Sequence, residues 1–544
     1  MGIATTLFAI AAAAIVAAWA WLGATVQMPP SPLAAGEKLY CVSYAPFRGT
    51  QSPLGPDIPI DPRQIDEDLA QLKHITNCVR TYSVDHGLDQ IAGIAKHHGM
   101  KVLQGLWLSN TPELSRKQIV TAIALAKQFP DVIIAIIVGN EVLLRGEMAA
   151  PDLVRTIREV KAQVAMPVSY ADVWEFWLRY PDVAGAVDFV TIHILPYWED
   201  FPIPARDAAS HVDAIHARMV TAFPGKDVFV GEFGWPSAGR MREGALPSPV
   251  NQARSLHDVL DHAKRENYRV NLIEAYDQPW KRRLEGTVGG HWGLFDAYRR
   301  EAKFAWGGRV SNHPYWPWQA AGGVGLAAVI FASALAVRRR TATAVDTRCW
   351  LRIAVIATVA GILIGWTVAN VPLESLTVGD WLRSLAWAAT ALASPVVAAV
   401  AAPSGATAPS FAQMLGRAAQ RPRDVVSLAL GILLIALAVL SVQAALGLVF
   451  DPRYRDFPFA PLTAATVPFM LLIKAKPAVK GSLLARLKQR VQAPAAESAI
   501  AAVLTASAIY IACNEGFANW QAVWFSAALL ALAFTLLQAR GVPG

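Results

Sequence analysis

Between residues 38 and 305 short, mainly apolar runs alternate with longer amphipathic stretches; further on, the pattern becomes near-continuous apolar blocks. Eight runs read as strands: LYCVSYA, NCVRTYS, KVLQGLW, DVIIAIIV, MPVSYAD, VDFVTIHI, DVFVGEF and RVNLIEAY. The stretches between them, such as PRQIDEDLAQLKHI and NQARSLHDVLDHAKREN, repeat apolar residues at helical spacing. Unbroken apolar strands alternating with helices predict a parallel sheet covered on both faces. Eight such units predict closure into an α/β (βα)8 TIM barrel. No GxGxxG follows the first strand and no GxxxxGK[ST] occurs, which removes support for nucleotide binding.

The apolar blocks run near 20 residues, the length that crosses a bilayer core of roughly 30 Å. Expected spans are 5–26, 318–337, 351–371, 382–402, 425–447, 457–473, 498–514 and 520–538, the sixth being short enough to be re-entrant. The first lacks a basic n-region and reads as an uncleaved anchor. Four parts are thus expected: an anchor at 1–30, a barrel at 38–305, an aromatic and Pro-rich linker at 306–317, and a helical membrane domain at 318–544 of about seven spans.

The net charge of +8 is distributed as a membrane protein distributes it. Arg338, Arg339, Arg340, Arg348 and Arg352 follow the second span. Arg417, Arg421 and Arg423 occupy the next alternate loop, and Lys474, Lys476, Lys480, Arg486, Lys488 and Arg490 the one after. If eight helices alternate, all three loops share a side, which the positive-inside rule makes cytoplasmic. The barrel is then expected on the outer (periplasmic) side of a bacterial cytoplasmic membrane. Tyr315, Trp316 and Trp318 suit a membrane interface, so lipid is an expected partner. No basic arm, zinc spacing or stacking motif points to nucleic acid. Of the four cysteines, Cys41 and Cys78 each precede Val in a strand. They read as buried thiols, with a disulfide open to them in an oxidising compartment.

Barrel enzymes gather their chemistry where strands end. Here those ends carry Tyr44, then Arg80 and Tyr82 on one face by period two, then Trp107, Asn140 and Glu141, then Asp172 and Trp174. His193, Tyr197 and Trp198 follow the sixth run, Glu232 and Trp235 the seventh, and Glu274, Tyr276 and Trp280 the eighth. Glu141 and Glu232 stand about three units apart at roughly 30 residues per unit, so both can face one mouth. A pair of carboxyl groups there is what glycosidic-bond chemistry needs. His193 reads as a satisfied core histidine.

VGEFGWPS resembles the nucleophile signature of family 17 glycoside hydrolases, the β-1,3-glucanases and glucanosyltransferases of clan A, and IVGNE resembles their acid/base motif. VRTYS, THILPYW, EAYDQPWK and HWGLFDAYR resemble other segments of that family. Phe233 departs from it, since many members carry Thr there. The membrane part resembles bacterial proteins implicated in making cyclic β-(1→3),(1→6)-glucans.

The resemblance implies that Glu232 is the nucleophile and Glu141 the acid/base of a retaining reaction, with no metal or other cofactor required. Substrate contacts are expected from Asn140, Arg80, Tyr82, Tyr44, Tyr197, Trp198, Glu274 and Trp280. Arg80 is expected to hold Glu232 ionised and Tyr197 to donate a hydrogen bond to it. Three readings follow: a transglycosylase that remodels or β-1,6-branches β-glucan, an endo-β-1,3-glucanase, and a non-catalytic partner of a glucan synthase.

Overall fold

In the computed structural model, residues 2–56, 58–341, 345–416, 421–473 and 495–539 are described. The chain divides into two compact units. One comprises Val26–Gly239 and Gly244–Val310; the other comprises Met1–Thr25, Arg240–Glu243 and Ser311–Gly544.

The first unit is a closed parallel barrel of eight strands. These are β1 (Cys41–Ser43), β2 (Cys78–Arg80), β3 (Lys101–Leu106), β4 (Ile133–Asn140), β5 (Val168–Val173), β6 (Val190–His193), β7 (Val228–Phe233) and β8 (Val270–Leu272). All eight apolar runs therefore fold as expected. The surrounding helices start where the sequence supplies a starter. Asp61 caps Pro62–Leu72 and Ser248 caps Pro249–Glu266, each with proline in the first turn. Ile65, Leu69 and Leu72 lie on one face of the first of these helices and are buried against the barrel.

The barrel unit reaches further than the expected 38–305. Val26–Gln27 pairs antiparallel with Arg309–Val310, and this ribbon ties the two ends of the unit together. Met28, Val250, Ala253 and Val310 pack beneath it. Cys41 and Cys78 form a disulfide, where buried thiols were the expected state. The reason is register: Val42 faces Val79 across β1 and β2, so the preceding cysteines are neighbours.

Three strands change register near their C-terminal ends: β4 against β5 between Ile137 and Asn140, β6 against β7 between Ile192 and His193, and β7 against β8 between Val230 and Phe233. Such irregularities re-aim side chains. By strict alternation Glu232 would join Val228 and Val230 in the outer layer of the core. The shift turns it instead toward the mouth, in register with His193.

The second unit is helical. Among the described residues, seven helices are long and apolar enough to cross a membrane: Gly2–Leu22, Trp316–Arg340, Thr347–Glu374, Val378–Ser404, Val425–Phe450, Ala496–Glu515 and Trp520–Ala539. The expected 457–473 span is the 14-residue helix Phe459–Leu472. At 1.5 Å per residue it rises about 21 Å, short of a full bilayer core. Arg417 and the basic run from Lys474 to Arg490 lie outside the described residues.

Candidate active site

The site is built around Arg80, which ends β2 and is fully buried. Its Nη1 donates to the Gly231 carbonyl at 2.8 Å and to Oε1 of Glu232 at 3.0 Å. Its Nη2 reaches Oδ1 of Asn140 at 2.7 Å and Nε2 of His193 at 3.2 Å. One guanidinium thus ties together the ends of β4, β6 and β7. Gly231 permits this approach. A Cβ there would sit 2.3 Å from the Thr191 methyl, so any side chain would force β6 away.

Glu232 is 4% exposed. Its Oε1 also accepts from the Tyr82 hydroxyl at 2.8 Å, and the same hydroxyl lies 2.7 Å from Oγ of Ser43. Burial alone would raise the Glu232 pKa. Arg80, the Tyr82 hydroxyl and Lys281, joined by His193 whenever it is protonated, more than offset it, and the carboxyl is held below the ordinary glutamate range.

Glu141 follows β4 in the left-handed region, at φ 53°. Non-glycine residues seldom adopt it, and the strain costs of the order of 1 kcal/mol. Two hydrogen bonds hold the turn: Glu141 N–H to the Ala171 carbonyl and Arg145 N–H to the Glu141 carbonyl, both 2.8 Å. The side chain is more open than that of Glu232, 22% against 5% exposed. Its Oε1 lies 2.7 Å from Nδ1 of His193. Ligand atoms of Glu141, His193 and Glu232 all fall within 4.8 Å of one another. A cation could in principle occupy such a triangle, but Arg80 already places its positive charge against two of the three groups.

The other expected site residues divide by surroundings. Asn140, 9% exposed, belongs to the Arg80 network. Tyr82 touches Glu232 directly. Tyr44 is 1% exposed and its hydroxyl donates to Asp68 at 2.9 Å. Tyr197 is buried, edge-on to Trp198, Trp235 and Trp292, while Trp198 is half-buried and stacks on Trp292 at 6.5 Å between ring centroids. Trp280 is half-buried, edge-on to Phe47, with its Nε1 donating to Gln278. Glu274 is buried against Lys281 at 2.9 Å. Its pKa rises to about 7 because burial outweighs the attraction of Lys281. Trp107 has one ring face covered by the Arg145 guanidinium, 4.1 Å from the ring centroid.

Three further groups escaped the sequence reading. His193 touches both carboxylates' surroundings rather than sitting inert in the core. Lys281 and Glu285 lie beyond the eighth strand. Burial raises the Glu285 pKa against the pull of Lys281, with Glu141 and Glu232 near enough to push it further up. The string EAYDQPWKRRLEG holds both, but nothing in its spacing announces that it folds back over the mouth.

Residues 41–293 match the family model described as the BtgE/BtgC glycoside hydrolase domain. A glucan 1,3-beta-glucosidase of Arthroderma benhamiae is 28% identical over 262 residues, which is 44% of this chain and 83% of that protein. A probable beta-glucosidase btgE of Aspergillus flavus is 27% identical over 245 residues, 43% of this chain but only 40% of its own length. A glycoside hydrolase family 17 β-1,3-glucanosyltransferase structure from Rhizomucor miehei aligns at 29% identity and TM-score 0.42, covering 49% of this chain and 95% of that one. The family match runs from β1 past β8 and takes in every residue of the Arg80 network: the barrel of this chain is similar throughout to the BtgE/BtgC glycoside hydrolase domain.

Proposed function

We propose that the chain is a membrane-attached, retaining enzyme of β-1,3-glucan, with Glu232 as nucleophile and Glu141 as acid/base. The observation that carries this is the spacing of the two carboxyl groups, with oxygens within 4.8 Å. Retaining enzymes hold the pair about 5–5.5 Å apart, whereas inverting ones leave room for a water between them. In the first step a Glu232 oxygen bonds to the anomeric carbon, the glycosidic C–O bond breaks, and Glu141 gives its proton to the leaving oxygen. In the second, Glu141 takes a proton from the incoming hydroxyl as that oxygen displaces Glu232. The lowered pKa of Glu232 suits the first role, and the greater openness of Glu141 suits proton exchange with the acceptor. Asn140 binds Arg80 through Oδ1, which directs its Nδ2 to the sugar 2-hydroxyl. The half-buried Trp198 and Trp280 are the stacking surfaces for the sugar.

The acceptor we favour is another glucan hydroxyl, which makes the enzyme a transglycosylase that remodels or β-1,6-branches its polymer. A polymer-building assembly benefits from a tethered catalyst more than a degradative one does. Hydrolysis is the second reading, favoured by the glucosidase names of the sequence relatives. Incubation with defined β-1,3-oligosaccharides separates the two. Longer or 1,6-linked products support transfer, and shorter sugars with solvent oxygen at every new reducing end establish hydrolysis. Full biological function of a Glu232→Ala variant would leave only a non-catalytic role, as a partner of a glucan synthase.

We infer that the barrel lies on the outer side of a bacterial cytoplasmic membrane. Its disulfide is of a kind that persists in oxidising compartments. The arginines at 338–340, 348, 352, 421 and 423 favour the opposite side for their loops. The short helix Phe459–Leu472 is then required to cross, because a re-entrant path would strand the basic run 474–490 outside.

A further inference from the structure

The hydrogen atoms of Arg80 fix which ring nitrogen of a neutral His193 carries the proton. Arginine only donates. Its two Nη groups carry four hydrogens and face four partners: the Gly231 carbonyl, Glu232 Oε1, Asn140 Oδ1 and His193 Nε2. The first three are oxygens that accept. The fourth contact is a hydrogen bond only if Nε2 is the bare, accepting nitrogen. In a neutral imidazole the proton then sits on Nδ1, which points at Glu141 Oε1 from 2.7 Å. The 3.5 Å separation of Nε2 from Glu232 Oε1 is consequently a by-product of both groups facing Arg80, not a bond of its own.

We infer that His193 is a positioning residue for the acid: by donating Nδ1–H to Oε1 of Glu141 it reserves that oxygen and directs the transferable proton to Oε2. The inference rests on the functional reading above and deepens it. Geometry supports it from both sides. His193 is 1% exposed and held from β6 in register with Glu232, so the ring has no freedom to swing. Glu141 needs such a partner because its open side chain leaves a left-handed turn with no other side-chain contact among the described hydrogen bonds. The relay from Glu232 through Arg80 and His193 to Glu141 then couples the orientation of both carboxyl groups to one guanidinium.

Two near-isosteric replacements split the two arms of the ring. In His193→Asn the amide nitrogen falls near the Nδ1 position and keeps the donor to Glu141, while the Arg80 contact is lost. In His193→Gln the terminal amide falls near Nε2 and keeps Arg80, while the donor to Glu141 is lost. The full chain in detergent is assayed by kcat/KM, which reports the first step, on two substrates: a β-1,3-oligosaccharide, whose leaving group needs a proton, and a β-glucoside with an activated aryl leaving group, which does not. General acids contribute about 10²–10⁴-fold. We expect His193→Gln to lose about 100-fold on the oligosaccharide and under about 3-fold on the aryl substrate, with His193→Asn losing at least about 10-fold less than His193→Gln on the oligosaccharide. Equal losses on both substrates, or a Gln variant better than the Asn variant on the oligosaccharide, would overturn the assignment while leaving the glycosidase reading intact. A wild-type chain that turns over neither substrate would sink that reading and the assignment with it.

Discussion

The Tyr82 hydroxyl lies 2.8 Å from the Oε1 of Glu232 that also accepts from Arg80, so this one oxygen of the proposed nucleophile carries a neutral and a charged donor. Removing the neutral donor isolates its share. A hydrogen bond to a charged group is worth about 1.5–3 kcal/mol. Tyr82→Phe is expected to lower kcat/KM by about 10–100-fold. The sign of the pH effect follows: a donor to the carboxylate favours its ionised form, so its loss raises the nucleophile's pKa. The acid limb of the kcat/KM profile should move to higher pH. An unchanged limb would show that Tyr82 does not tune the nucleophile.

Glu141 and Glu232 are distinguishable by stereochemistry. With an activated aryl β-glucoside and added azide, Glu141→Ala should still form the glycosyl-enzyme. Azide then displaces Glu232 and yields a β-glycosyl azide. Glu232→Ala leaves room on the opposite face of the sugar, and azide entering there should yield the α-anomer. NMR of the isolated azides reads the outcome, and the same anomer from both variants would remove one of the assigned roles.

Asp172 sits at the end of β5, buried, accepting from the Tyr170 hydroxyl and from Val173 N–H at 2.8 Å. Burial raises its pKa to about 6. The Tyr170 hydrogen bond opposes that rise, and the charge of Glu141 adds to it. A carboxyl raised above its unfolded value, about 3.9, contributes stability that is complete below that value and is lost as pH climbs through 6. Over that window the loss is of the order of 3 kcal/mol, at 1.36 kcal/mol per pH unit. Thermal unfolding of the full chain from pH 4 to 7 should therefore show a falling midpoint that flattens in Asp172→Asn. A variant with the wild-type slope would remove Asp172 as the titrating group.

The Cys41–Cys78 bond joins the first two strands and encloses the helix Pro62–Leu72 between them. Loss of such a link typically costs about 2–4 kcal/mol. The Cys41→Ser, Cys78→Ser double variant should unfold at a correspondingly lower temperature. Alkylation of membranes without reductant, followed by peptide mapping, should recover the two cysteines as one linked peptide. Recovery of both as alkylated thiols would contradict the outward placement of the barrel.

Much of the barrel was legible because its strands are buried on both faces and so appear as mainly apolar runs between helical stretches. The convergence of Glu141 and Glu232 was legible because each closes such a run within a recognisable string. Tyr82 followed from its period-two relation to Arg80. The part played by His193 was not legible, since it depends on a register shift that brings β6 and β7 level at that point. The disulfide left a trace that went unused: both cysteines immediately precede the valines that pair across β1 and β2. The sixth apolar block, short already in the sequence, yields a still shorter helix because Phe457, Pro458 and Ile473 are apolar but lie outside Phe459–Leu472.

The guanidinium of Arg145 lying on the Trp107 indole leaves that ring one open face. A ring whose one side is occupied offers a guest a floor but never a slot, and a cation on its back draws π density away from the open side. Sugar C–H groups settling there would be held loosely. The same arginine is anchored to the Asn140 and Leu108 carbonyls, so this softening cannot relax without disturbing the turn that presents the acid. If the proposed glucan chain runs over Trp107, its β3 side would be a weak step where a saccharide lets go early.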